Sequence, residues 1–141
     1  MTRRALSWPA WGLVAVCIAA SAPALAAFNE ALPYPTEVAL SQEGDKGFVF
    51  RRFPGSQRLY IYDLDKDGHV ACSETCIGAR PPVYAPAAAQ PVGEWTAVRR
   101  DDGRLQWAYR GHPVYTFFHD KPNEPHGDGE GGVWHIVPYE K

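Results

Sequence analysis

Asp63, Asp65 and Asp67 stand at alternate positions, Gly68 follows, and Glu74 closes the run. The first, third, fifth and twelfth places of a twelve-residue loop thus carry carboxylates, with glycine sixth and Val70 eighth. That pattern lets oxygen ligands wrap a hard cation such as Ca²⁺. The flanks differ from those of an EF-hand: the residues before Asp63 read as a strand, and Cys72 takes the tenth place. The same run also reads as an acidic, solvated turn after a strand.

Cys72 and Cys76, with three residues between them, offer a second chemistry. Two thiolates with a histidine suit copper, since soft sulfur and imidazole ligands favour it. In an oxidising compartment the same pair closes as a disulfide, and that is the expectation for an exported chain. Four of the five histidines are His112, His119, His126 and His135. Around one Gly-rich loop, His119, Asp120, His126, Asp128 and His135 would suit Zn²⁺ or Cu²⁺, although no closely spaced His pair sharpens that set. His119 also reads as the end of an aromatic row, and His126 as a loop histidine. No cofactor is expected beyond these calcium or copper alternatives.

Catalytic signatures are missing from the sequence. There is no Gly-x-Ser-x-Gly, no cysteine outside the pair in the mature chain, and few serines. The acids fall in turns, without the apolar setting that raises a carboxyl pKa for acid catalysis. A non-catalytic protein is expected.

The elements that must position these residues begin after a leader. Arg3 and Arg4 precede the apolar run Leu6–Ala20, and Ala24-Leu25-Ala26 offers small residues for cleavage before Ala27. Residues 1–26 therefore read as a secretory signal peptide, too short in its apolar run for a membrane span, and Cys17 goes with it. A periplasmic or secreted location follows, without a transmembrane anchor. Removing the leader leaves 115 residues, enough for one domain at 27–141. Without the leader's two arginines, 12 basic residues face 16 acids, a net charge of −4. No basic patch accompanies the aromatics, which excludes nucleic acid as the expected partner. A monomer that meets an unidentified protein or small ligand is the expectation.

Alternating residues set strands at Thr36–Leu40, Phe48–Phe53 and Arg58–Asp63, with a hairpin through Pro54-Gly55-Ser56. Cys72–Ala79 is the one helical turn, with Ser73 as its cap and Pro81-Pro82 as its stop. Tyr84–Gly93 reads as a connector. Strands then follow at Trp95–Arg100, Arg104–Arg110, His112–His119 and Gly132–Val137, the first two joined at Asp102-Gly103. The result is an all-β class, a small sandwich or barrel-like domain. Most of the aromatics are expected in its core.

One pattern occurs twice. Tyr60, Tyr62 and Asp65 have the spacing of Tyr115, Phe117 and Asp120. Two related repeats are expected, at about 36–90 and 91–138, with these motifs on equivalent strands. The stretches LYIYDLDKDG, CSETCIGARPP, RRDDGRLQWAYRGHPVYTFFHD and GDGEGGVWHIV together resemble the bacterial secreted-repeat proteins, described as predicted lipoproteins of unknown function. The resemblance spans about residues 36–138 and implies an exported β-rich domain with a duplicated unit. Members usually carry Trp just before the Pro-Pro, where this chain has Arg80, and many are lipoproteins, whereas this leader lacks a lipobox.

Overall fold

A computed structural model describes residues 33–66, 68–121 and 124–139. The leader and its cleavage site, the arm at 27–32 and Asp67 lie outside the described residues.

Strand β1 (Val38–Gln42) pairs antiparallel with β2 (Phe48–Arg52), Leu40 opposite Phe50. A short 3₁₀ turn, Gly44–Lys46, joins them. The expected turn at Pro54–Ser56 brings Arg58 beside Arg51, but as a single bridge. The chain then leaves β2, and β3 (Tyr60–Tyr62) pairs with β8 (Trp134–Ile136) from the far end of the chain. Helix α1 (Glu74–Ile77) is a single turn where one was expected, although the Ser73 side chain makes no capping bond.

In the second half, β5 (Trp95–Arg99) pairs with β6 (Leu105–Tyr109). Their turn is set by Gly103, whose φ of +82° is costly for residues with a Cβ, and by the Asp102 carboxylate, which accepts the Arg104 N–H at 3.0 Å. Two readings need correction. Tyr84–Ala85, placed in a connector, forms strand β4 on the other side of β6. The strand expected over His112–His119 is a ladder only at β7 (His112–Pro113), because Tyr115 bridges in turn to Tyr60 and to Pro82. The sheets are small and antiparallel, and they do not close into a barrel.

The backbone bonds recur with the halves exchanged. Leu59 N–H donates to Phe50 O, and Val114 N–H to Trp107 O, both at 3.0 Å. Val137 N–H reaches Leu59 O at 2.9 Å, and Val83 N–H reaches Val114 O at 3.1 Å. Phe50 N–H donates to Val137 O, and Trp107 N–H to Val83 O. The halves are thus related by a local twofold, and each lends its last strand to the other: residues 83–85 lie beside β6, and 137–139 beside β2. The same alternation fills one core from both sides. Val38, Phe50, Leu59 and Val83 meet Trp95, Trp107, Val114 and Val137. Neither half buries its apolar face without the other.

Candidate functional site

The twofold passes between Tyr60 and Tyr115, which exchange both backbone bonds, at 2.8 and 2.9 Å. Their side chains cross over. Tyr60 Oη donates to Asp120 Oδ2 at 2.5 Å, and Tyr115 Oη to Asp65 Oδ2 at 2.8 Å. Each tyrosine therefore bonds the aspartate of the other motif. Each aspartate spends its second oxygen on a loop that follows it: Asp65 Oδ1 accepts Ala71 N–H at 2.7 Å, and Asp120 Oδ1 accepts Gly127 N–H at 3.3 Å. Matching turns make this possible, with Lys66 and His69 paired through both backbone bonds, and Lys121 and Glu124 likewise.

Arginines flank both pairs. Arg58, buried, donates from Nη1 to Lys121 O at 2.9 Å, and that nitrogen lies 3.7 Å from Asp120. Arg58 Nε reaches Glu43, which Arg51 also bonds. Arg100, also buried, donates to Gln106 Oε1 at 2.5 Å and to Cys72 O at 2.8 Å. Burial raises both tyrosine pKa values, and the hydrogen-bonded carboxylates raise them further, so the hydroxyls stay protonated donors. Burial also pushes the Asp65 carboxyl upward, against its hydrogen bonds and the Arg100 charge. This corrects the expectation that the acids lack an apolar setting: tertiary packing brings Tyr115 over Asp65.

Arg80 occupies the other place near the axis. Its guanidinium lies over the rings of Phe117 at 3.8 Å, Trp134 at 4.3 Å and Tyr60 at 5.0 Å from their centroids. Under the twofold, Arg80 corresponds to Trp134, which stacks on Tyr62 at 4.3 Å. A cation over the face of Phe117 thus replaces an aromatic contact, as such a contact can when desolvated. Arg80 Nη2 also donates to the Glu130 carboxylate and, at 3.2 Å, to Gly127 O. Gly127 must lack a side chain, since a Cβ there would come within 2.6 Å of Arg80 Nη1 and 2.8 Å of Phe117 Cδ1.

The residues that suggested metals are dispersed. Asp65 faces inward to Tyr115, whereas Asp63 lies outside, its Oδ2 2.8 Å from His135 Nε2. Glu74 opens α1 beside a cleft of about 390 Å³ lined by Val70, Ser73, Arg100, Asp101 and Asp102. His126 pairs with Glu124 at 2.9 Å, and His119 packs against the rings of Phe117 and Phe118. Cys72 and Cys76 form a disulfide, their Cα atoms 5.2 Å apart, inside the range a bridge allows. Among the described residues, no three His, Cys, Asp or Glu side chains gather as a metal site.

Sequence reasoning named both tyrosines and both aspartates but missed Arg58, Arg100 and Gly127. The lysine after each motif aspartate, Lys66 and Lys121, was the available sign that the repeat extends into matching turns.

Residues 96–138 match the model of a secreted repeat of unknown function. The matched span runs from β5 through β8, which is the second half of the twofold. It agrees with the resemblance read from the motifs. No curated protein and no solved structure matches the chain. No helix among the described residues is long and apolar enough to cross a membrane.

Proposed function

We propose that this chain is an exported, non-catalytic accessory protein whose paired motifs are scaffold and whose outer surface meets an unidentified protein or small ligand. One observation supports this reading above the rest: the side chains best suited to chemistry are spent on each other. Tyr60 and Asp120, Tyr115 and Asp65 close two internal pairs, and each aspartate's other oxygen holds a backbone N–H. Both oxygens of each carboxylate are thus engaged inside the fold, and a substrate or cation would have to compete with those bonds. Of the alternatives, copper through Cys72 and Cys76 with a histidine would have to break the disulfide, and calcium through the Asp63–Glu74 turn would have to draw Asp65 away from Tyr115 and Ala71.

The test is native mass spectrometry of protein exported with its own leader, without reductant, in Ca²⁺, Cu²⁺ or Zn²⁺. The expected species is a monomer cleaved before Ala27, with one disulfide and no stoichiometric metal. One tightly held equivalent of any of the three would replace the accessory reading with the metal-binding one.

A further inference from the structure

We propose that the Cys72–Cys76 disulfide is a redox-sensitive clamp, whose reduction releases the 70–79 loop and opens the wall of the cleft between that loop and Arg100–Asp102. The proposal goes beyond the accessory reading and does not depend on it. It rests on how few polar bonds hold the loop apart from the disulfide. Helix α1 is one turn long, lacks a side-chain cap and buries none of its four residues, so it has no stability of its own. Among the described residues, no ion pair ties residues 70–79. Their bonds to the rest of the fold include Ala71 N–H to Asp65, Arg100 to Cys72 O, and Phe118 N–H to Ala79 O, while Val70, Cys72, Cys76 and Ile77 pack on the core around Tyr60 and Tyr115.

The corresponding loop of the other half is held differently. Asp128 bonds Lys46 at 2.9 Å and accepts Ile136 N–H at 3.1 Å, and Glu130 bonds Arg80. The covalent bond in the first half stands where the second half has ion pairs. Cys72 is buried, whereas Cys76 is only half-buried, which leaves Cys76 as the sulfur open to attack.

The reductant is a dithiol, small or carried on a protein. Its thiolate attacks Cys76 Sγ, the Sγ–Sγ bond breaks, and Cys72 leaves as a thiolate that takes a proton. The second thiol of the reductant then displaces Cys76, so the dithiol ends as a disulfide and the protein holds two thiols. Freed of its five-residue ring, the loop gives up the bonds that fix Asp65 beneath Tyr115.

Hydrogen exchange of the full exported chain, oxidised and in dithiothreitol, decides the matter. Peptides within 63–79 should exchange roughly thirtyfold faster on reduction, the loop-closure contribution of a ring this small, while those from 95–109 and 124–139 keep their rates. Reoxidation should restore the slow rates, and Cys72→Ser with Cys76→Ser should show the fast pattern without responding to dithiothreitol. Unchanged exchange in 63–79 would overturn the clamp. Equal acceleration everywhere would also overturn it, since the bond would then support the whole fold rather than one loop.

Discussion

In the first half the loop after the tyrosine motif is tied by Cys72–Cys76; in the second, Lys46–Asp128 and Arg80–Glu130 do that work. The backbone frame is shared down to single hydrogen bonds, but the side chains at equivalent positions differ in kind. At the axis, Trp134 stacks on Tyr62 while its counterpart Arg80 lies over Phe117. Where Ala71 donates to Asp65, Gly127 donates to Asp120 under the guanidinium. The frame therefore constrains shape and backbone polarity, and either an aromatic or a paired cation can fill the space it leaves. Arginine is suited to that place because its planar, weakly hydrated head stacks on rings while its N–H groups reach acceptors at the edge.

Truncating the two axial residues should break the resemblance most. Trp134→Ala removes a buried indole and should cost about 3–5 kcal/mol in denaturant unfolding. Arg80→Ala loses a desolvated cation over three rings and should cost less, about 2 kcal/mol, because half-exposed Glu130 regains water. Equal losses would show that the cation packs as tightly as the indole.

Gly127→Ala sharpens the same comparison. The added methyl meets Arg80, Phe117 and Tyr60, and overpacking of this kind costs about 1–3 kcal/mol. The mirror change, Ala71→Gly, removes an exposed methyl and should shift stability by no more than about 1 kcal/mol. A neutral Gly127→Ala would mean that the guanidinium moves freely.

The smallest expected effects are in pH dependence, and the halves should respond with opposite signs. Burial raises the Asp65 pKa, so its contribution is fully present below the unfolded value and is lost as pH rises through the folded one. The stability of Asp65→Asn relative to wild type should therefore rise as pH rises through the carboxyl range and fall as pH falls. At Asp128 burial acts upward, but the Lys46 bond and charge and the Ile136 N–H outweigh it and hold the carboxyl below its ordinary value. Its contribution is present above the unfolded value and lost as pH falls through the folded one. Asp128→Asn should thus lose most at neutral pH and converge on wild type in acid. Thermal denaturation across that range checks both, and pH trends of the same direction in the first variant's and the second variant's gap from wild type would contradict the contrast.

Local pattern alone determined the strand class, the single helical turn at Cys72–Ala79, the Asp102-Gly103 hairpin and the doubled motif, because these follow from side-chain alternation, glycine conformation and spacing. The disulfide too was legible, since a separation of four residues already brings two cysteines within reach. Which strands pair was not. β3 reads like the arm of a hairpin with β2, yet it pairs with β8, because only that exchange lets each half cover the other's apolar face. The Asp63–Glu74 turn likewise carries a cation-loop pattern in sequence, while the fold turns Asp65 inward beneath a tyrosine 50 residues away. Sequence spacing fixes which groups are near along the chain; burial between the two halves decided which of them are left to face solvent.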